Sequence, residues 1–237
     1  MIVGCNLIFL RQEIEYAAQD AENNYILVFE FFEKIVCINL DERTDRWASA
    51  LNEFSRAGIS DRVSRFSGIK NELGHLGCRD SHLAVIQLAL DQQLNNILIL
   101  EDDIVLSDDC IEVMQRAIFE IQQLDHWHIV YLGANIDPNR GSLQTATPTL
   151  VRTDFALSTH AYLLNRSVFG EVLEGAMKFD TYDLFLNQNI VSRGSSFIVN
   201  PMVCIQKPGY SDVLNTPVDY SWMIEYFDRA LDESGQN

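Results

Sequence analysis

The chain has 237 residues, enough for one large α/β domain or two small ones with a real core. Its 17 Lys and Arg stand against 34 Asp and Glu, a formal net charge of −17. That balance excludes the basic surface that nucleic-acid binders need and argues against simple docking on anionic lipid. The five cysteines, Cys5, Cys37, Cys78, Cys110 and Cys204, are far apart and form no CxxC pair. They indicate neither a disulfide framework nor a zinc site, and most read as small core fillers in a reducing compartment.

The opening MIVGCNLIFL lacks a basic n-region and meets Arg11 at once, so it makes a poor signal peptide. No apolar run reaches the ~20 residues of a membrane span. The expectation is a soluble, cytoplasmic protein. Residues 1–33 form an N-terminal extension with a polar, helix-compatible stretch and the apolar YILVFEFF. Its apolar stretches predict either packing onto the core or homo-oligomer formation. Residues 34–237 read as a single domain, with a regular α/β front half (34–133) and a more mixed back half (134–237).

KIVCINL (34–40) is short, apolar and rich in β-branched residues, as a buried strand is. Thr44 reads as an N-cap, Trp47, Leu51 and Phe54 recur at helical spacing, and Gly58 stands where that helix stops. Phe66 and SGIKN mark a second strand end and a loop. GHLGC (74–78) reads as a glycine-punctuated turn, after which Asp80 or Ser81 caps a helix carrying Leu83, Ile86 and Leu90. NNILIL is the next buried strand. SDDC supplies caps for a helix with Ile111, Met114, Ile118 and Ile121 on one stripe. HIVYLG (128–133) is a further strand, 134–150 is loop-like, Ala161 to Leu164 is a strand and Ser167 to Gly175 a short helix. FIVNPMVCIQ (197–206) reads as strand, turn, strand, and 219–231 as a terminal helix with Trp222, Tyr226, Phe227 and Leu231. Strands alternating with helices through residue 133 predict an α/β fold with a mostly parallel central sheet flanked by helices.

Between ILIL and IVL lie three consecutive carboxylates, Glu101, Asp102 and Asp103. In open parallel sheets, ligands bind beyond the carboxyl ends of the strands, and these residues sit there. If the pleat persists, Glu101 and Asp103 share one face and Asp102 points the other way. Adjacent like charges are unfavourable unless neutralised. Mg²⁺ and Mn²⁺ take oxygen ligands, commonly one or two carboxylates plus substrate phosphates. The bland alternative is a solvated turn with acidic caps, which Asp108 and Asp109 fit well. The spacing does not suit an EF-hand, which needs alternating ligands and a central glycine.

Several ordered segments together resemble glycosyltransferase family 25, which includes bacterial lipooligosaccharide galactosyltransferases and collagen galactosyltransferases. They are KIVCINLDERTDRW, GHLGCRDSHLAVIQ, ILILEDDIVL, WHIVYLG, THAYLLN and DTYDLFL, spread over residues 34–210. The resemblance implies a GT-A-like nucleotide-diphospho-sugar transferase fold, a UDP-sugar donor, and often Mn²⁺. The extension before residue 34, His75 and His128 depart from the family pattern.

On that resemblance Glu101 and Asp103 are the metal ligands, with His160 as a further imidazole ligand; a packed strand histidine is the alternative. Asn39, Asp41, Arg43 and Arg46 are expected at the nucleotide, since guanidinium donates two parallel hydrogen bonds to phosphate. For Arg46 the alternative is an ion pair with Asp45 or Asp41. Ser81 and His82, placed at a helix start, are expected to contact donor or acceptor, and Asp102 the ribose or sugar. Asp183 or Asp180 is the expected base, with helix capping as the alternative for Asp183. Tyr210, Ser211 and Asp212 are expected on the acceptor side. The function so read is transfer of a hexose, galactose or glucose, from a UDP-sugar to a glycan or other hydroxyl acceptor, metal-assisted and inverting. The rivals are a catalytically inactive sugar- or partner-binding relative and a nucleotidyltransferase, the latter weakened because INLDERTDR lacks a glycine-rich loop.

Overall fold

The computed structural model describes residues 30–137 and 139–234. Expectations about residues 1–29, including oligomer formation, fall outside them. The last extension residues that are described lie on the core: Phe32 is buried, and Glu33 accepts hydrogen bonds from Asn95.

An eight-stranded mixed sheet is built from β1 (Ile35–Asn39), β2 (Val63–Ser67), β3 (Asn96–Glu101), β5 (Ile129–Tyr131), β6 (Leu143–Thr147), β7 (Leu150–Thr153), β8 (Ala161–Asn165) and β9 (Ser196–Val199), in the order β2-β1-β3-β8-β5-β9-β7-β6. β4 (Ile104–Leu106) lies outside it. β1, β2, β3, β5, β9 and β6 run one way; β8 and β7 run against them. The sheet is thus less purely parallel than the alternation of the first half suggested. The antiparallel intruder β8 splits the parallel set between β3 and β5.

Helices cover both faces. α1 (Thr44–Arg56) and α3 (Cys110–Ile121) lie on one, and α2 (Gly74–Asp91), α4 (Phe169–Gly175), α5 (Tyr182–Asn189) and α6 (Met223–Ser234) on the other. Strand alternation serves both cores. Leu98 and Leu100 of β3 join Phe54 and Ile118, while Ile97 and Ile99 join Val85, Ile86 and Phe169. This is why β3 reads as an unbroken apolar run: each face needs its own residue set. Each such fully buried side chain contributes about 1.5–3 kcal/mol.

Several local expectations shift. α1 begins at Thr44 with Arg43 in the cap position, and Gly58 ends it with φ +71°. GHLGC is helix rather than turn. Its glycines are required by close packing: a Cβ at Gly74 would lie 2.1 Å from the Asp212 carbonyl oxygen, and one at Gly77 2.7 Å from that of Ile69. Residues 143–153 form a hairpin instead of a loop. LQTAT is a polar, largely exposed strand, and its turn threonines donate to Glu120. β10 (Cys204–Gln206) pairs antiparallel with β4, Gln206 opposite Ile104, after a cis Asn200–Pro201 bond. A last hairpin joins β11 (Gly209–Ser211) to β12 (Thr216–Val218).

Candidate active site

β1 ends at Asn39, β3 at Glu101, and β8 begins at Ala161 beside Leu100. These ends define the floor of a pocket of ≈420 Å³. Arg46, Cys78, Ser81, His82, the three carboxylates, Thr159, Tyr182, Asp183, Gln206 and Asp212 all line it. A solvent-open cleft beyond strand ends is where α/β sheets place ligands.

The carboxylates do not follow the pleat. Asp102 and Asp103 form a turn, because β4 leaves the main sheet to pair with β10. Both then face one guanidinium: Arg46 Nη1 donates to Asp102 Oδ1 at 3.1 Å and Asp103 Oδ2 at 3.2 Å. Arg46 also donates to the Tyr210 carbonyl and lies 3.7 Å from Asp212. The expected ion pairs of Arg46 with Asp45 or Asp41 do not form. Arg43 takes Asp45, at 3.1 Å, and Asp212 instead. Asp41, mostly exposed, accepts from Arg65 at 2.7 Å and from Ser67. Asn39 is buried and donates to Asp102 Oδ2 at 2.7 Å, holding that carboxylate in place.

Each carboxylate has its own electrostatic state. Burial acts to raise Glu101, but hydrogen bonding and charge from His82, with a hydrogen bond from Thr159, hold it below the ordinary carboxylate range. Burial raises Asp102 against the pull of Asn39 and Arg46. Burial, with the Glu101 charge behind it, raises Asp103 to about 7. Asp103 Oδ1 is buried with no hydrogen-bond partner, although the Gln206 side chain is close to this carboxylate. A desolvated carboxylate oxygen left unpaired is unfavourable, and a hard cation relieves it. The donor set of Glu101 and Asp103 therefore fits Mn²⁺ or Mg²⁺.

Ser81 and His82 sit in the second and third turns of α2, not at its start, so backbone N–H groups of the helix terminus do not serve them. Ser81 Oγ is buried, donating to the Gly77 carbonyl and accepting from Ile69 N, both at 2.7 Å. His82 is fixed on all sides. Nδ1 is 2.9 Å from Tyr162 Oη, Nε2 is 3.3 Å from Glu101 Oε1, and its ring stacks on Tyr182 at 4.8 Å. Tyr162 and Tyr182 hydroxyls meet at 3.1 Å, and Thr159 Oγ1 donates to Glu101 Oε1 at 2.7 Å.

Of the expected metal residues, Glu101 and Asp103 reach the pocket. His160 is fully buried behind it, with Nε2 3.3 Å from the Cys204 carbonyl and Nδ1 unpartnered. Burial pushes its imidazole below the usual range. Asp183 lies on the pocket in the first turn of α5, and its Oδ1 accepts from Leu184 N at 2.8 Å. Asp180 is exposed and is not among the lining residues. Ser211 and Asp212 line the pocket.

The residues missed in the sequence are Thr159, Tyr162, Tyr182, Gln206 and Cys78. Cys37, Cys110 and Cys204 are buried fillers, whereas Cys78 faces the pocket. Its i, i+4 spacing to His82 was the available signal, since that spacing stacks two side chains on one helix face.

Fold and pocket define an α/β domain with a cleft at the carboxyl ends of its strands. Residues 70–174 match the family model of glycosyltransferase family 25 (LPS biosynthesis protein). A curated Haemophilus influenzae protein named "Putative glycosyltransferase" is 32% identical over 107 residues, 45% of this chain and 32% of that protein. The aligned part thus spans about a third of that relative. The match covers less than half of this chain, so the similarity to glycosyltransferase family 25 is carried by residues 70–174. The matched segment holds Cys78, His82, the three carboxylates and Thr159; Arg46 and Asp183 lie outside it. Among solved structures, a glycosyltransferase involved in glycosylation of the PBCV-1 major capsid overlays with TM-score 0.47 at 10% identity, covering 77% of this chain and 95% of that one. A protein of STIV overlays with TM-score 0.46 at 7% identity, covering 78% and 93%. Both overlays are loose. No helix of the described residues is long and apolar enough to cross a membrane.

Proposed function

We propose that the chain transfers a hexose, galactose or glucose, from a UDP-sugar to a hydroxyl of a glycan acceptor, with inversion, in cytoplasmic lipopolysaccharide assembly. The observation that carries the reading is the buried, unpartnered Asp103 Oδ1 beside Glu101 at the strand ends, on the pocket that Asp183 also lines. Glu101 and Asp103 hold the divalent cation. Bound there, Mn²⁺ or Mg²⁺ supplies charge neutralisation for the departing diphosphate. Arg46, and Arg43 next to it, orient the phosphates by exchanging their carboxylate partners for phosphate oxygens. Asp102, clamped by Asn39, faces the sugar or ribose. Asp183 takes the proton of the acceptor hydroxyl as its oxygen bonds to the anomeric carbon. The bond from that carbon to the diphosphate breaks on the opposite face, and UDP leaves with the electron pair. Ile38, Leu40 and Tyr182 give the pocket an apolar lining beside these polar groups.

The test is nucleoside diphosphate release from a panel of nucleotide sugars with Mn²⁺ and with chelator. Mn²⁺-dependent UDP release from one hexose donor is the expected result. Released pyrophosphate would mean nucleotidyl transfer. Absence of both release and metal-dependent UDP binding would leave a non-catalytic relative.

A further inference from the structure

Cys78, His82 and Glu101 each offer a ligand atom, and these atoms all lie within 4.8 Å of one another. We propose that they form a second cation site on the pocket wall, selective for Zn²⁺ and similar soft divalent ions, with one coordination position open to the pocket. This site shares Glu101 with the proposed hard-ion site but does not depend on sugar transfer.

The geometry is nearly closed. Tetrahedral zinc with metal–ligand bonds of about 2.0–2.3 Å places its ligands roughly 3.3–3.8 Å apart. The His82 Nε2 to Glu101 Oε1 distance, 3.3 Å, already meets this. Cys78 needs a side-chain adjustment of about 1 Å by the same comparison. One helix supplies Cys78 and His82 four residues apart, and the end of β3 supplies Glu101, so two rigid elements present the three ligands.

The surroundings orient these ligands, as the outer hydrogen-bond partners of zinc-binding side chains do. The Tyr162 hydroxyl holds His82 Nδ1, Tyr182 stacks on the ring, and Thr159 holds Glu101 Oε1. Tyr162 and Tyr182 hydroxyls are hydrogen-bonded to each other, so the pair reverses direction without losing a bond. Without metal, Nε2–H donates to Glu101 and Nδ1 accepts from Tyr162. With metal, Nδ1–H donates to Tyr162, Tyr162 donates to Tyr182, and the Nε2 lone pair turns to the cation. The Cys78 thiol proton leaves to solvent as the Zn–S bond forms, because the thiolate is the ligand. Thiolate with imidazole prefers Zn²⁺ over Mg²⁺ and Mn²⁺, which take oxygen.

Co²⁺ titration of the full chain tests this, since thiolate ligation gives a sulfur-to-cobalt charge-transfer band. Expected is one such site per chain in wild type, displaced by Zn²⁺ and not by Mg²⁺. The band should vanish in Cys78→Ser, with Zn²⁺ affinity at least 10-fold weaker, and persist in Cys5→Ser. Circular dichroism melts verify that each variant is folded. The readout does not involve transfer, so it stands apart from the test of the proposed function. A wild-type chain with no charge-transfer band overturns the site, as does a band that survives in folded Cys78→Ser.

Discussion

The two walls of the pocket are built on opposite principles. On the α2–β8 wall, His82, Tyr162, Tyr182, Thr159 and Glu101 form a connected hydrogen-bond network. On the β4–β10 wall, Asp103 keeps an unpartnered buried oxygen, and Asp102, Asp103 and Asp212 crowd one arginine. Apart from Cys78, the first wall closes its hydrogen bonds internally, which rigidifies the site. The second is satisfied only by something added. Free energy stored as an unmet polar group at one wall, against a saturated network at the other, marks where the ligand's charge belongs.

Substitutions separate the two walls, beginning with the largest effect. Asp183→Asn is expected to lower transfer by about 100- to 10,000-fold, the usual weight of a general base. Donor binding should hold; weakened UDP binding in that variant would show that Asp183 serves the donor instead. Asp103→Asn is expected to reduce kcat by at least ~100-fold, as loss of an electrostatic contact to a leaving group does. Yet in chelator at neutral pH its melting temperature should equal or exceed wild type, because a desolvated charge has been removed. A lower melting temperature would mean that the Arg46 pair outweighs the burial cost.

The saturated wall should behave inversely. Tyr162→Phe removes a buried hydroxyl shared by His82 and Tyr182 and should cost about 1–3 kcal/mol of stability. Denaturant unfolding measures it, and an unchanged midpoint would reduce the network to incidental contacts. The smallest effect belongs to Asp212→Asn, which frees Arg43 and Arg46 from an exposed partner. Exposed ion pairs contribute about 0.2–1 kcal/mol, so UDP affinity should rise at most about fivefold. Calorimetric titration showing weaker UDP binding would instead make Asp212 a donor contact.

The apolar periodicity of β1, β3, α1 and α3 was legible because local patterns mirror burial on a two-faced sheet. The polar strand LQTAT was not, since its pairing with β7 at the sheet edge leaves no alternating apolar signal. Glycine misled at GHLGC, where chain crossing rather than turning demands it: the 212 carbonyl presses on Gly74 across 138 residues of sequence.

The sequence by itself determined that an acidic turn follows a buried strand, and it put forward Arg46, His82 and Asp183, which line one pocket. Local order and residue chemistry suffice for that. Only the tertiary structure decided who faces whom. Pairing of β4 with β10 swings Asp102 and Asp103 onto Arg46, insertion of β8 beside β3 brings Tyr162 and Thr159 to His82 and Glu101, and His160 is left behind the pocket. Those neighbours are set by sheet order and register, long-range pairings that no local pattern encodes.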